Sequence, residues 1–394
     1  MAAKSPKRSS TSSRRSYVGR AATSTDATGL NVTGSRSQNG RGSTARPQRS
    51  PTMQDIADAA GVSQSTVSRV LTGAPNAIPI NPATRERILE VARQMRYRPN
   101  PLARGLRGAR TMLLGVIMRE ITDPFFAGAV DAISTEANRR GYNVVLGHAH
   151  GRTDEAIALR AVLETRHCDA ILLVGDTSDQ PRLMDDLRDT DSPVVGLWQG
   201  TAPMPGISII GVDNQFGVGS LMDHLLGLGH RKIAFVGGAF LEGRLIGDIG
   251  ERRAAFLQRA AAEGLETSDG FVRDARNTLG GGAGALKALM ALPERPTAIV
   301  ASTDVLAIGA LHAAYDMGLD VPGEVSIVGF DDLPMAEYTT PALTTVRMPI
   351  AEMAAAGVRA AIDEGRDHGV ATVAILKPAI VIRESSGPAP NRRR

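Results

Sequence analysis

Residues 52–72, TMQDIADAAGVSQSTVSRVLT, decide how the front of this chain folds. Thr52 is placed to cap a helix in which Ile56, Ala57 and Ala60 share one face, and Gly61 supplies the positive φ that stops it. Ser63 caps a second helix that turns Val67, Val70 and Leu71 inward. Two short helices around a one-glycine turn are a helix-turn-helix unit, whose second helix reaches base edges in the major groove with its N-terminal side chains. Gln64, Ser65, Ser68 and Arg69 are polar and lie off the Val67 face. Gln can bond adenine in bidentate fashion, Arg can do the same with guanine, and hydroxyls bond phosphates. A polar surface helix following an Ala-Gly turn is the plainer alternative.

The pattern continues outward from this stretch. A turn with Gly73, Pro75 and Pro79 is followed by Asn81 and Pro82, which open a third helix carrying Ile88, Leu89, Ala92 and Met95 inward. Three short helices then share one small core. Upstream, residues 1–50 are rich in Ser, Thr, Gly and Arg with almost no large apolar residues. Such a segment cannot offset the entropy of ordering and is expected to be a disordered basic tail.

The chain has 394 residues, 42% of them apolar, enough for more than one core. Its net charge of +4 hides a segregation. Residues 1–50 hold ten Lys or Arg against the single Asp26, and residues 51–110 hold nine against four acids, so the front carries +14 and the rest −10. A basic front suits a polyanion, with nucleic acid the first candidate, while the acidic body does something else. The single cysteine, Cys168, excludes an internal disulfide and reads as a buried thiol in a reducing compartment. No apolar run approaches the roughly 20 residues that span a bilayer, and no apolar segment follows the N-terminal charges, so a cytoplasmic protein without a membrane partner is expected.

From Thr111 short apolar runs alternate with amphipathic helices, the signature of doubly wound parallel sheets. Strands are expected at 112–118, 143–147, 170–174, 194–197 and 207–212. A second series falls at 232–236, near Phe271, at 298–301 and at 326–329. The end of the chain reads as a strand at 343–346, a helix at 350–362 and strands around 373–375 and 379–382. Two such series imply two similar α/β lobes with a ligand cleft at the carboxyl ends of their strands. Enzymes share this architecture, but no GxGxxG after the first strand, P-loop, GxSxG or metal-spaced His/Cys cluster is present. The glycines of LGGGAGAL, 279–286, read as a flexible helix entrance, with a phosphate cradle the lesser alternative. The expectation is a binding protein, not an enzyme, with no cofactor and no metal.

The blocks GVSQSTVSRVL, TRERI and YRPNPLARGLR, in that order, resemble the DNA-binding end of the lactose and galactose repressor (LacI/GalR) family. The resemblance implies that Gln64, Ser65 and Arg69 read bases and that Thr66 and Ser68 contact phosphates. It also implies a hinge helix containing Asn100 and Arg104, with Leu106 as a wedge in the minor groove beside its dimer mate. The segment between Leu71 and Thr84 is a few residues longer than usual for that family. Glycines at 105 and 108 weaken the hinge helix by roughly 1 kcal/mol each, so it should order only on DNA.

The stretch from Met112 to Ser385 resembles the family's effector-binding core, itself similar to periplasmic sugar-binding proteins. On that resemblance Asp123, Phe125 and Phe126 of ITDPFF, Trp198 of VGLWQG, Arg252, Asp304 and Asp331 line the effector pocket, with Asn277 assigned from an uncertain loop. Acidic and guanidinium groups suit vicinal hydroxyls, and an aromatic face suits a sugar ring. Phe125 fits a core position equally well, Asp304 a helix cap, and Arg252 an ion pair along its helix. The expected boundaries are 51–98 for the head, 99–110 for the hinge, 111–385 for the core and 386–394 for a tail. Within the core the first lobe takes about 111–212 and 328–349, the second about 213–327 and 350–385.

The implied function is a homodimeric transcriptional regulator on a near-palindromic operator, answering to a small-molecule effector, a sugar or sugar derivative. A solute-binding protein without regulatory function, which would lack the three-helix head, a sugar-modifying enzyme on a similar sheet, and a regulator answering to a corepressor such as a purine are the alternatives.

Overall fold

The computed structural model describes residues 51–72, 80–97, 110–149, 152–165, 168–175, 181–188, 190, 192–198, 200–204, 206–239, 247–265, 270–367 and 371–390. The basic tail, the turn at 73–79, and Asn100, Arg104 and Leu106 of the expected hinge lie outside the described residues. Residues 51–97 and 110–390 fall in two separate compact units.

The first unit has three helices, α1 (Met53–Ala60), α2 (Gln64–Thr72) and α3 (Pro82–Gln94). Thr52 caps α1 reciprocally with Asp55: Thr52 Oγ1 accepts from Asp55 N–H at 3.3 Å, and Thr52 N–H donates to Asp55 Oδ2 at 2.6 Å. Gly61, at φ 63°, ends the helix. Ser63 Oγ accepts from Thr66 N–H at 3.3 Å, and Asn81 Oδ1 from Ala83 N–H at 2.9 Å. Ile56, Ala57, Ala60, Val67, Val70, Ile88 and Ala92 form the buried core. Leu89, expected inward, is 38% exposed. The buried stripe of α3 runs through Ile88 and Ala92, and a residue one step on lies roughly 100° around the helix.

The second unit contains β1 (Leu113–Met118), α4 (Pro124–Arg139), β2 (Asn143–His148), α5 (Thr153–Thr165), β3 (Ala170–Val174), α6 (Pro181–Arg188), β4 (Val194–Leu197) and β5 (Ser208–Val212). There follow α7 (Asn214–Gly227), β6 (Ile233–Ala239), α8 (Gly247–Ala262), β7 (Val272–Arg276), α9 (Leu279–Met290), β8 (Ala298–Ala301), α10 (Asp304–Asp316) and β9 (Ser326–Val328). The chain closes with β10 (Thr345–Arg347), α11 (Ile350–Asp367), β11 (Val373–Leu376) and β12 (Ala379–Val381). The first sheet has the order β11-β5-β4-β3-β1-β2 and the second β7-β6-β8-β9, with all neighbours parallel. Strands β1 to β4 and β6 to β9 thus repeat one order, 2-1-3-4. Each sheet reverses direction beside its first strand, and its ligand crevice lies at the carboxyl ends there.

Two closing segments, 328–349 and 350–376, sit in the opposite lobes to those expected, whereas 379–385 lies with the second lobe as expected. Residues 328–349, expected with the first lobe, stay with the second: β9 pairs with β8, and Ala336 and Leu343 join the second lobe's core. Helix α11 packs instead against α4, β3, β4 and β5, and β11 extends the first sheet beside β5. The chain returns through β12, which pairs with β10. Short strands of similar composition carry no record of which edge they will join, so the sequence pattern could not settle this. Three segments therefore cross between the lobes, at 212–214, 347–350 and 376–379.

Residues 386–390 are not a free tail. Gly387 N–H donates to Ser326 Oγ at 3.1 Å and Ala389 N–H to Leu228 O at 2.9 Å. The glycines of 279–286 lie inside α9, not ahead of it. A Cβ on Gly282 would strike the carbonyl oxygen of Leu306, and one on Gly309 that of Leu279, so α9 and α10 meet backbone to backbone. Cys168 is buried, and burial with the nearby Asp169 pushes its thiol up to about 11, an inert core residue.

His230 fixes the chain end. Its Nε2 lies 3.0 Å from Gly387 O and 3.1 Å from Ser326 Oγ, and its Nδ1 2.9 Å from Thr297 Oγ1. Burial holds its pKa below the ordinary 6.5, so the fold keeps it neutral. The unfolded chain takes up that proton first, so the contribution is complete above 6.5 and is lost as pH falls below it. Replacing His230 by Gln should lower the melting temperature at about pH 7.5 and narrow the gap to the native protein by about pH 5.5, read by calorimetry.

Candidate nucleic-acid interface and interlobe cleft

On α2 the five residues assigned to DNA fall on the outward side. Gln64 and Ser65 are exposed; Thr66, Ser68 and Arg69 are half-buried beside the buried Val67 and Val70. Ser63 Oγ lies 2.8 Å from both Ser65 Oγ and Thr66 Oγ1, and Arg69 Nε donates to Ser65 O at 3.4 Å. The cap thus orders the first turn of the helix, the part that enters a groove first.

In the second unit the first lobe supplies Asp123, Phe125, Phe126 and Trp198. Asp123 follows β1 and caps α4, its Oδ1 accepting from Phe125 N–H at 2.9 Å. Phe125 meets Phe126 edge-on at 5.3 Å and Trp198 edge-on at 5.5 Å. Phe125 is buried, as its core reading expects, and packs against Trp198. Trp198 follows β4 with φ 57°, is 2% exposed, and keeps its indole Nε1 buried without a hydrogen-bond partner. A bulky residue at positive φ is a strained one.

The second lobe supplies Arg252, Asn277, Asp304 and Asp331. Arg252, on α8, is 3% exposed and does not pair along its own helix. Its Nε donates to Asn214 Oδ1 at 2.9 Å, and one terminal nitrogen donates to Ser302 O at 2.7 Å and Asp331 Oδ1 at 3.3 Å. The guanidinium carbon lies 3.7 Å from the centre of the Phe330 ring, a cation–π contact. Asn277 reaches across the cleft: its Nδ2 donates to Asp123 Oδ2 at 2.7 Å, and its Oδ1 accepts from Thr303 Oγ1 at 2.6 Å.

Asp304 is placed differently. Thr303, not Asp304, caps α10, and Asp304 is 0% exposed. Its two oxygens accept from Thr345 Oγ1 at 2.5 Å and Leu333 N–H at 2.8 Å. It anchors the segment that returns toward the first lobe, behind the cleft. Asn214, Ser302, Thr303 and Phe330 were missed in the sequence because their partners are far along the chain; Asn214, just past β5, meets Arg252 38 positions later.

Burial raises the carboxyl of Asp123, against its hydrogen bonds from Phe125 and Asn277. Asp331 is pushed well above the usual carboxylate range by burial, which outweighs Arg252 and is aided by Asp304 and Asp123. Burial lifts Asp304 to about 6 despite its bonds from Thr345 and Leu333. One guanidinium, the carboxyls of Asp123 and Asp331, the Asn277 amide and the Trp198 indole N–H are the polar groups these segments supply, with the rings of Phe125 and Phe330 packed against Trp198 and Arg252. Among the described residues no group of three or more His, Cys, Asp or Glu is arranged to hold a metal ion.

Known proteins resemble both units of the chain. Residues 52–100 match the model of bacterial regulatory proteins of the lacI family, and residues 222–386 that of a periplasmic binding protein-like domain. Catabolite control protein A of Priestia megaterium is 31% identical over 312 residues, covering 78% of this chain and 90% of its own. The lac repressor dimer, solved with operator and an anti-inducer, superposes with a TM-score of 0.76 at 23% identity over 86% of this chain and 100% of that one. The regulator CelR, solved with cellobiose, gives 0.60 at 26% identity, covering 85% and 99%.

The folded protein holds the Asp304 proton up to about 6, whereas the unfolded chain releases it near 3.8, so ionisation costs stability as pH rises through that window. Asp304→Asn should therefore gain melting temperature relative to the native protein between about pH 4 and pH 7, as followed by circular dichroism.

Proposed function

The chain belongs to the lacI family of bacterial regulatory proteins and is a DNA-binding transcriptional regulator, and we propose that it acts as an effector-controlled repressor of carbohydrate-utilisation genes. The observation that carries this reading is the union, in one chain, of a capped helix-turn-helix with a two-lobed core that buries Arg252 in one lobe and an unpaired indole N–H in the other. An unpaired buried donor is costly, and an oxygen-rich ligand satisfies it. The related CelR binds a disaccharide, which supports the same class here.

In this reading Gln64, Ser65 and Arg69 read base edges, Thr66 and Ser68 hold phosphates, and Asn100, Arg104 and Leu106 form the hinge that meets the minor groove. Asp123, Asn277, Arg252 and Asp331 bond effector hydroxyls, and Trp198, backed by Phe125 and Phe126, covers the apolar face of the ring. Asp304 acts through the Leu333 and Thr345 segment. The protein works as a homodimer on a two-fold operator, in the cytoplasm, as a binding protein without turnover. Among the described residues no helix is long and apolar enough to cross a membrane. Effector binding favours one lobe arrangement, and that preference changes the operator affinity by the same free energy.

Footprinting the purified protein on genomic DNA identifies the operator, and fluorescence anisotropy with mono- and disaccharides then measures the response. Arg69→Ala should weaken operator binding by about 10- to 100-fold, the worth of one bidentate base contact, and leave effector binding intact. Arg252→Ala should keep effector-free operator affinity and abolish the response. Normal effector binding by Arg252→Ala in calorimetry would remove Arg252 from the site.

A further inference from the structure

Among the described residues two hydrogen-bonded ties join the lobes, Asn277 to Asp123 and Glu251 to Thr201, and the second lies next to Arg252 on α8. Glu251, its neighbour on α8, accepts at Oε1 from both the N–H and the hydroxyl of Thr201, each at 2.7 Å. Thr201 belongs to the first lobe, in the loop between β4 and β5. The other carboxylate oxygen of Glu251 accepts from Asn214 Nδ2 at 2.7 Å, and Asn214 Oδ1 receives Arg252 Nε at 2.9 Å. A relay thus runs from Thr201 through Glu251 and Asn214 to the guanidinium.

The relay fixes geometry as well as contact. Asn214 Nδ2 also donates to Asp248 Oδ1 at 2.7 Å, so both of its amide hydrogens are engaged by carboxylates. The amide cannot turn over without facing donors with donors, and its oxygen stays on Arg252. The loop is pressed close: Gly200 has φ 78°, and a Cβ there would come within 3.0 Å of Glu251 Oε1 and 3.3 Å of Gly247 Cα. Beside the relay lies a cavity of about 390 Å³ lined by Thr201, Asn214, Glu251 and Gln258, which leaves room for the carboxylate to move when the loop withdraws.

We propose that Glu251 is a positioning residue that couples lobe closure to the setting of Arg252. With the lobes together, Thr201 holds the carboxylate where it orients Asn214. With the lobes apart, both Thr201 donors are lost, Glu251 is free to leave Asn214, and the acceptor of the guanidinium is then held by Asp248 alone. A change of contacts between two arrangements is what lets an effector on Arg252 bias the lobes. The consequence for effector response rests on the assignment of Arg252 made above, whereas the latch itself is measurable without any effector.

Trp198 is the only tryptophan in the chain and stands on the Thr201 loop, so emission excited in the indole band reports the surroundings of this loop. In the full-length, ligand-free protein, Glu251→Ala should shift the lobe balance toward the open form by about tenfold, with red-shifted emission and an acrylamide quenching constant raised about twofold or more. Thr201→Val, which removes one of two donors, should give a smaller change in the same direction, and the double variant should match Glu251→Ala. Glu251→Gln keeps one acceptor for Thr201 but turns an amide N–H toward Asn214 Nδ2, so it should recover part of the shielding, which a merely destabilised helix would not do. Native emission and quenching in Glu251→Ala, or additive effects in the double variant, overturn the latch. If Glu251→Ala does not fold, native quenching in Thr201→Val does so. A working latch with normal effector binding in Arg252→Ala would instead refute the effector assignment and leave the latch standing.

Discussion

A buried guanidinium must be bonded on every side, and that of Arg252 organises the seam between the lobes. A charge removed from water costs several kcal/mol unless polar groups replace its hydration. Here the replacements come from Asn214 after β5, Ser302 at the end of β8, Asp331 after β9 and the ring of Phe330. Each sits at the carboxyl end of a strand or just beyond it, because parallel sheets deliver their loops to one edge. The paired Asp331 does not make the site cheap: burial outweighs Arg252 in setting its carboxyl, which stays high. Such a cluster is better understood as a device for specificity than for stability.

The same constraint explains the strain nearby. Trp198, Asp331 and Asp332 have positive φ although none is glycine, and all three lie at the seam or the crossing that serves it. Asp332 accepts from Arg347 at 2.6 Å and from Arg383 at 2.7 Å, so one carboxylate clamps the strand that leaves for the first lobe and the one that returns. With two of the three crossings held in this way, the lobes can rotate about few backbone positions, and packed interfaces of this kind have discrete arrangements and do not deform continuously.

The sequence by itself determined the head and the alternation of the core. Caps at Thr52, Ser63 and Asn81, the stop at Gly61 and the 3.6-residue spacing of Ile56, Ala60, Val67 and Val70 are local interactions, complete within a few residues. Fully buried parallel strands likewise announce themselves as apolar runs, as β3 and β4 do. Resemblance assigned Arg252, Asp331 and Trp198 to one cleft; the structure pairs Arg252 with Asp331 at 3.3 Å and packs Trp198, just past β4, against Phe125.

Only the tertiary structure decided how the ends of the chain are shared and which polar groups meet. Helix α11 and β11 joined the first lobe, and residues 386–390 docked on the second, because available sheet edges and buried partners such as His230 selected them. Asp304 turned from a cleft residue into a buried anchor once Leu333 and Thr345 closed over it. Glu251 gives no signal in the sequence, being one acid among many on an amphipathic helix; its meaning appears when a loop fifty positions earlier arrives within 2.7 Å. Local propensity is written in neighbouring residues, whereas a hydrogen bond across a cleft exists only after two lobes have folded and met.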